Sequence, residues 1–283
     1  MQHRFERPAS IAQAARLLAS GPWSVLAGGT DLYPAHVGRP VASPLLDITG
    51  IAELRGIRRD DGGWTIGATT TWTDIVRADL PPLLGALQAA AREVGGIQIQ
   101  NTGTVAGNLC NASPAADGTP VLLALGAGVV LRSERGERTL PVERFVVGNR
   151  QTARAADELV VAVRIPARSA RARSAFAKLG GRRYLTISVT TVALVIERDA
   201  DDAIVAAGAA VGSCAAVARR LPGLEARLVG TSVRGNLAAL VEADDLAPLA
   251  PIDDLRGSAA YRLGATRTLL VRALRDIAAA AGP

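Results

Sequence analysis

The segment from Asn101 to Pro120 places the strongest constraint on how this chain can fold. Almost every residue in it is small or polar, although apolar stretches precede and follow it. Such a segment inside a globular protein has little apolar surface to bury, so it must gain its order from tertiary contacts or from a ligand. A purely structural loop would also produce this pattern, but the length and the polar donors favour a ligand-binding segment.

A second glycine-containing stretch, VLAGGTD at residues 25–31, follows an apolar segment that predicts a buried strand. Glycines at a strand end let the backbone approach a ligand, and successive N–H groups can then bind a phosphate-like anion. Taken alone, so short a motif is more typical of a turn. The chain has neither a GxGxxG fingerprint nor a GxxxxGK[ST] phosphate loop, which argues against NAD or ATP bound in the usual folds.

The segment 101–120 also supplies groups that can bind a ligand. Gly103 and Gly107 free the backbone, Thr104 and Asn108 provide donors, and Asp117 can accept hydrogen bonds from sugar or polyol hydroxyls. Two small-residue loops of this kind are what a ligand with a diphosphate needs. Together the two segments favour anion binding over a simple turn.

Composition and charge exclude several classes of protein. The chain has 283 residues, 49% of them apolar, which predicts a globular protein of two or three compact units. The formal charge is +6, but the arginines are scattered among acidic residues, which argues against nucleic-acid binding. Of the 32 basic residues a single one, Lys178, is a lysine.

The two cysteines, Cys110 and Cys214, lie far apart and outside any CxxC spacing, so we expect unpaired thiols that cannot hold an iron–sulfur cluster. The longest apolar run, around Val121 to Leu131, is shorter than the roughly 20 residues that span a bilayer. No apolar segment follows the charges near residue 1. We therefore expect no membrane span and a cytoplasmic location.

The periodicities predict a mixture of helices and strands, with a more segregated order in the last third. Ser10 is a candidate cap for a first helix, and Thr71 or Thr73 for a later one. Strands are expected at 185–199 and 203–212, after a basic link at 168–173. Further helices are predicted within 80–96, 215–230, 233–243 and 259–282.

Residues 27–31, AGGTD, and residues 99–125, IQNTGTVAGNLCNASPAADGTPVLLAL, resemble the FAD-binding medium subunit of the molybdenum hydroxylases. That group includes bacterial xanthine dehydrogenases and carbon monoxide dehydrogenases. The similarity continues through 157–166, 176–194 and 250–274 and so covers essentially the whole chain.

The resemblance implies an α+β fold: a two-subdomain FAD-binding domain of the vanillyl-alcohol oxidase type, also called PCMH-type, and a smaller α+β domain with an antiparallel sheet and helices. The implied FAD-binding domain is 1–168, with subdomains of about 1–55 and 56–168. The C-terminal domain, of the carbon monoxide dehydrogenase flavoprotein type, is 169–283.

The resemblance also assigns residues to the cofactor. The loop 27–31 is expected to wrap the FAD diphosphate, and the loop 104–108 to hold it from the other side. Asp31 is expected to turn away and brace its loop, because a carboxylate repels a diphosphate. The predicted cofactor-binding residues are Ala27, Gly28, Gly29, Thr30, Asp31, Val94, Gly95, Gly103, Thr104, Gly107, Asn108, Asn111, Ala116, Asp117, Val160 and Lys178.

Several of these residues are given particular places. Asn111, Ala116 and Asp117 are implied to line the ribityl and flavin end, and Val160 and Lys178 to lie near the isoalloxazine ring. A cation there would stabilise negative charge on the reduced flavin, although a surface lysine without such a role is an equal alternative.

Three positions depart from the family pattern: Ala106 stands in the usual second-loop glycine pair, Ala116 replaces a residue that is often polar, and Tyr33 one that is commonly aliphatic. Cys110 has no activating neighbour, so noncovalent FAD is expected. No base and nucleophile pair occurs, so we assign no catalytic residue and no metal site to this chain.

In the family that this chain resembles, a molybdopterin-binding large subunit hydroxylates the substrate and a small subunit with [2Fe–2S] clusters relays the electrons. The expected function is therefore an FAD-binding electron-transfer subunit that receives these electrons and passes them to NAD⁺ or another acceptor. One alternative is a free-standing FAD-dependent oxidoreductase with its own substrate pocket. Another is a non-enzymatic partner protein that has lost its flavin.

Overall fold

The computed structural model describes residues 4–182 and 185–280 of the chain. The first unit is a three-stranded parallel sheet with one helix. Its elements are β1 (Phe5–Glu6), α1 (Ile11–Ala19), β2 (Ser24–Leu26) and β3 (Leu45–Asp47), and the strand order is β1-β3-β2. The predicted cap of α1 is confirmed, because Ser10 Oγ accepts a hydrogen bond from the Gln13 N–H at 3.2 Å. The strand β2 ends immediately before Ala27, as the sequence predicted.

The second unit is an antiparallel sheet with helices inserted between its strands. The sheet contains β4 (Ile57–Asp60), β5 (Gly63–Gly67), β6 (Gly128–Ser133), β7 (Gly136–Pro141) and, after the hairpin of β8 (Val146–Gly148) and β9 (Gln151–Thr152), β10 (Leu159–Pro166). Its strand order is β4-β5-β10-β6-β7, and β8 and β9 form a sheet of their own.

Six helices accompany this sheet. They are α2 (Trp72–Arg77), α3 (Gly85–Glu93), α4 (Ile97–Thr102), α5 (Val105–Asn111), α6 (Gly118–Ala124) and α7 (Val142–Phe145). Thr71 caps α2 through a reciprocal capping box with Asp74, which decides between the two predicted caps. A 3₁₀ turn at Pro82–Leu84 precedes α3, which ends just before Gly95.

The constraining segment Asn101–Pro120 is mostly helical, and the expectation that it buries little was wrong. Val105 and Leu109 of α5 are fully buried, and every residue of α6 is buried. Small side chains on these helices allow close packing, so burial is achieved with little apolar surface per residue. The predicted second loop at 104–108 is accordingly the cap and first turn of α5.

The C-terminal unit is an antiparallel sheet covered by helices. Its strands, in their spatial order, are β11 (Arg173–Gly180), β12 (Ser188–Arg198), β13 (Ile204–Gly212) and β14 (Arg219–Arg220). The helices are α8 (Pro222–Leu228) and α9 (Ala259–Ala280), and further 3₁₀ turns lie at Pro34–His36, Ala52–Leu54, Leu237–Leu240 and Ala243–Leu246. The two predicted strands and the long last helix are confirmed.

Two helix predictions in this unit were wrong in part. In 215–230 only α8 is helical, because Arg219 and Arg220 pair with the edge of β13 and Pro222 then starts the helix. In 233–243 the structure has only a 3₁₀ turn, Leu237–Leu240. This turn suffices to bury Leu237 and Val241 in the C-terminal core, so a full helix is not needed there.

The strand β12 lies between two cores. Ala193 and Val195 belong to the core that is formed mainly by the first two units, whereas Val192, Leu194 and Ile196 belong to the C-terminal core. Successive side chains of a strand point to opposite faces, so this strand is buried on both. Helices α3 and α6 cover one side of the C-terminal sheet, and α8 and α9 contact β13, β12 and β11. None of the described helices has the length and apolarity needed to cross a bilayer.

Candidate functional site

A cleft of about 780 Å³ lies where the end of β2, helix α5 and the residues before β12 meet. Cavities of roughly 300–1,000 Å³ are typical of cofactor and ligand sites. The predicted residues that line the cleft are Ala27, Gly28, Gly29, Thr30, Asp31, Val94, Gly95, Gly103, Thr104, Gly107, Asn108, Asn111, Ala116 and Asp117. The structure therefore brings together all the predicted residues except Val160 and Lys178.

The loop 27–31 presents unused backbone donors at the cleft. The N–H groups of Gly28, Gly29 and Thr30 donate to no acceptor among the residues that the structure describes. Gly29 has φ +70°, a conformation that side-chain-bearing residues rarely adopt. Gly28 packs directly on the backbone at Thr102, where an added Cβ would overlap the carbonyl oxygen. Both glycines are required by the backbone path, and they leave three consecutive donors beside the cleft.

The opposite wall is the start of α5, where the N–H groups of Val105, Gly107 and Asn108 donate inside the protein. Thr104 Oγ1 accepts from the Gly107 N–H at 3.0 Å, and the Val105 N–H donates to the Thr70 carbonyl at 3.0 Å. Thr104 is therefore a helix cap, and its hydroxyl proton and its backbone N–H remain as donors among the described residues.

Asn108 brings an unsatisfied acceptor to this wall. Its Oδ1 is buried and has no hydrogen-bond partner within the described part of the chain. Because buried acceptors without partners are rare in folded proteins, this atom indicates a group that a ligand satisfies. A cofactor with hydroxyl or N–H donors fits this requirement.

Asp31 lines the cleft and is also held by a hydrogen bond from Asn111. Asn111 Nδ2 donates to Asp31 Oδ1 at 2.7 Å, which ties the loop to the end of α5. Burial raises the pKa of the Asp31 carboxyl above its ordinary value, while the charge of Arg150 and the bond from Asn111 act in the opposite direction. Arg150 Nη1 donates in turn to Asn111 Oδ1.

The sequence analysis missed Arg150, which lines the cleft. It is 39 positions from Asn111 and has no motif around it, so no local signal could have identified it. Its place depends on the hairpin of β8 and β9.

Asp117 and Lys178 form a buried ion pair. Lys178 Nζ lies 2.6 Å from Asp117 Oδ2, with side-chain exposures of 7% and 8%, and it also donates to the Glu93 carbonyl at 3.1 Å. Ser188 Oγ donates to Asp117 Oδ1 at 2.6 Å. Burial raises the pKa of Asp117, and the charge of Lys178 and the hydrogen bonds from Lys178 and Ser188 oppose that rise. Lys178 is thus neither a surface residue nor a bare charge, since its partner neutralises it.

Val160 lines a second cavity of about 400 Å³ that shares Ala27, Gly107, Cys110 and Arg150 with the cleft. Trp23 and apolar side chains form much of its wall. The predicted proximity of Val160 and Lys178 to an isoalloxazine ring stays a prediction.

Cys110 is exposed and lines the cleft, and desolvation by the surrounding protein raises the pKa of its thiol to about 11. At neutral pH the thiol is protonated and therefore a weak nucleophile. Within residues 4–182 and 185–280, no three side chains of the metal-binding types gather into a site.

Known proteins with similar sequences and structures share this architecture. A family described as "FAD binding domain in molybdopterin dehydrogenase" matches residues 1–168, and one described as "CO dehydrogenase flavoprotein C-terminal domain" matches residues 174–277. The carbon monoxide dehydrogenase medium chain of Hydrogenophaga pseudoflava is 31% identical over 278 residues, which cover 96% of each chain. The xanthine dehydrogenase FAD-binding subunit of Escherichia coli O157:H7 is 37% identical over 166 residues, 57% of each chain.

A solved carbon monoxide dehydrogenase from Hydrogenophaga pseudoflava, in a form that lacks the Mo-pyranopterin moiety of its cofactor, superposes with a TM-score of 0.87 at 29% identity. The superposition covers 100% of this chain and 99% of that chain. This agreement confirms the predicted α+β fold class with an FAD-binding domain and a C-terminal domain. The chain belongs to the FAD-binding subunits of the molybdenum hydroxylase family, which includes carbon monoxide and xanthine dehydrogenases, and it is an oxidoreductase subunit.

Proposed function

We propose that this chain holds FAD noncovalently in the cleft and transfers electrons from a [2Fe–2S] partner subunit to NAD⁺ or another acceptor. The observation that carries the proposal is the row of three unused N–H groups at Gly28, Gly29 and Thr30 beside a cleft of cofactor size. Such a row suits a diphosphate, because consecutive backbone donors bind oxyanions without requiring a positive side chain.

When bound, FAD supplies the redox chemistry, and the chain binds it, orients it and shapes its electrostatic surroundings. The loop 27–31 would hold the diphosphate, and the unsatisfied Asn108 Oδ1 would accept a hydrogen bond from the cofactor. The Asp117 and Lys178 pair would face the ribityl and flavin end as a neutral unit. A neutral pair stabilises a reduced flavin less than an isolated lysine would.

The second cavity adjoins the cleft, so together they form a site that is longer than the cleft alone. Its aromatic and apolar wall, with Trp23 and Val160, suits a flat ring system, and it shares its border at Gly107 with the cleft. We infer that the two cavities accommodate the two ends of FAD, with the diphosphate between them. The protonated Cys110 at the shared border supports noncovalent attachment.

We also infer a division into an FAD-binding domain at 1–168, with subdomains of about 1–55 and 56–168, and a C-terminal domain at 169–283. The parallel sheet, the five-stranded sheet and the C-terminal sheet support this division. The cytoplasmic location expected from the sequence stays a prediction.

The partners are inferred from the family. The relative from Hydrogenophaga pseudoflava is named a medium chain, and its solved enzyme is named with a molybdenum cofactor. We propose that this chain assembles with a molybdopterin-binding large subunit and a [2Fe–2S] small subunit. In this assembly the electrons would reach the flavin from the [2Fe–2S] centres of the small subunit.

Purification of the native protein from its source tests this function. The expected result is a complex that contains molybdenum and [2Fe–2S] centres, with one FAD per chain that denaturation releases. A protein that purifies alone, and whose flavin is reduced directly by a substrate, would support the free-standing oxidoreductase instead. A colourless protein that cannot be reconstituted with FAD would contradict both and revive a non-enzymatic partner.

A further inference from the structure

Arg150 occupies a distinctive position at the cofactor site. It lies in the turn of the hairpin between β8 and β9, and it lines both the cleft and the second cavity. No motif in the sequence singled it out. Its position at the border of the two cavities is where the middle of an extended ligand would lie.

The backbone of Arg150 is held in an unusual conformation. Its φ is +58°, and its N–H donates to the carbonyl of Ala112 at 2.9 Å. Ala112, at the end of α5, has φ +46° itself. Left-handed conformations are unfavourable for side-chain-bearing residues and cluster at functional sites. Two such residues joined by a hydrogen bond fix the direction in which the Arg150 side chain leaves the hairpin.

The charges around the cleft indicate what the Arg150 guanidinium can do there. The charged side chains that line it are Asp31, Asp117 and Arg150. Lys178 neutralises Asp117, which leaves Asp31 facing a cofactor whose diphosphate is also negative. Arg150 is the one basic residue among the cleft-lining residues that the structure describes, so its charge is placed to offset this repulsion.

A hydrogen bond orients the Arg150 guanidinium and leaves some of its N–H donors available. Its Nη1 donates to Asn111 Oδ1, and Asn111 Nδ2 donates to Asp31 Oδ1. Its Nε and Nη2 donate to no acceptor in the described ranges. A guanidinium that is anchored through one nitrogen and free at the others can bind an oxyanion through two parallel hydrogen bonds.

We propose that Arg150 binds the diphosphate of FAD directly and that the relay from Asp31 through Asn111 positions it for this contact. The proposal rests on the proposed FAD function and adds a basic contact to the backbone donors of the loop 27–31. It makes FAD recognition depend on charge as well as on backbone shape.

The test is equilibrium binding to the apoprotein of wild type, Arg150→Gln and Arg150→Lys, with FAD, ADP and riboflavin as separate probes. We expect Arg150→Gln to weaken FAD and ADP about 10- to 100-fold, the effect of losing a charge-assisted hydrogen bond. Binding of riboflavin, which has no phosphate, should be unchanged. Arg150→Lys should recover part of the loss, because it keeps the charge but not the planar fork.

The matched control is Arg144→Gln, which removes the same charge from an exposed arginine of α7 outside both cavities. Its FAD affinity should equal that of the wild type. The salt dependence of FAD binding should also be shallower for Arg150→Gln than for Arg144→Gln. Unchanged thermal unfolding of each apoprotein would establish that the variants fold.

Three negative outcomes are distinguishable. A wild-type protein that binds no FAD would overturn the proposed function itself. A wild type that binds FAD and an Arg150→Gln variant that binds it equally well would overturn only the role of Arg150. Equal loss of riboflavin and ADP would likewise contradict a diphosphate contact, since it would indicate a general distortion of the site.

Discussion

The two walls of the cleft contain glycines in similar sequence patterns, but they are built differently. On the loop wall, 27–31, the backbone N–H groups are unused and Gly28 lies against the backbone at Thr102. On the helix wall, 104–111, the cap and the first helical turn use most of the backbone donors, and Gly107 lies against the Thr104 side chain. The loop wall therefore offers a longer row of unused donors than the helix wall does.

This difference indicates why one glycine is less replaceable than another. A Cβ at Gly28 meets backbone, which cannot move without separating two segments of the cleft, whereas a Cβ at Gly107 meets a hydroxyl on a side chain that can rotate. The walls therefore respond differently to the same substitution.

The largest effect is expected for Gly28→Ala. The new Cβ would overlap the Thr102 carbonyl, so the loop must shift away, with a stability loss of about 3 kcal/mol. We expect the protein to lose its bound FAD, measured as the flavin to protein ratio after purification. Gly85→Ala is the control. Gly85 is the first residue of α3, and the nearest atom to a Cβ added there is 4.0 Å away. An FAD content equal in the two variants would contradict the close packing of the loop wall.

A smaller effect is expected when the cap on the helix wall is removed. Thr104→Val deletes the hydroxyl that accepts from the Gly107 N–H, and cap removal costs about 1 kcal/mol. Chemical denaturation should detect this loss, together with a several-fold weaker affinity for FAD. Thr104→Ser retains the hydroxyl and should behave as the wild type. A Thr104→Val variant as defective as Gly28→Ala would show that this wall also contacts the cofactor strongly.

Gly107→Ala should be milder still. Its Cβ would lie 2.7 Å from Thr104 Oγ1, which must rotate, while alanine gains up to about 1 kcal/mol of helix propensity over glycine. We expect these terms nearly to cancel, with a change in the midpoint of denaturation close to zero and FAD retained. Complete loss of FAD from Gly107→Ala would contradict the claim that the helix wall tolerates an added Cβ better than the loop wall.

The smallest effect concerns the charge on the loop wall. The folded pKa of Asp31 is raised above its ordinary 3.8. Its contribution to stability is therefore full below pH 3.8 and is lost as the pH rises through the folded pKa. Bound diphosphate raises this pKa further, so FAD affinity should increase modestly as the pH is lowered towards that window.

Asp31→Asn keeps an oxygen for Asn111 and removes the titrating charge. We expect it to bind FAD about twofold more tightly at neutral pH, as removal of a weak repulsion implies, and to lose the pH dependence. Titration of FAD binding against pH by fluorescence compares the two proteins. An identical pH profile in both would assign the dependence to another group.

Local signals predicted much of this fold. Ser10 and Thr71 are true helix caps, and the strands predicted at 185–199 and 203–212 are present as β12 and β13. The predictions that were wrong concern segments in which tertiary contacts outweigh the local sequence pattern. Arg219 and Arg220 became an edge strand because β13 offers a partner, and α5 buries one face although its segment is rich in small and polar residues.

The candidate site shows the same limit. The residues of the two glycine-containing segments could be predicted, because each segment is continuous in the sequence. Arg150 and the pairing of Lys178 with Asp117 could not, since both depend on contacts between residues far apart. Lys178 was noticed for its rarity, but its neutralising partner emerges only in three dimensions.

The shared strand β12 has a consequence for how this protein unfolds. A strand whose alternate side chains serve two cores cannot leave one core without exposing the other face, so the energetic separation between the halves is small. Gly208 of the neighbouring β13 adds a backbone contact with Ala124 of α6. Residues 185–187 also line the cleft, so an FAD molecule bound as we propose would touch segments from both halves and favour their joint folded state. We therefore expect the chain to unfold as a single cooperative unit, for which calorimetry should record one heat-absorption peak.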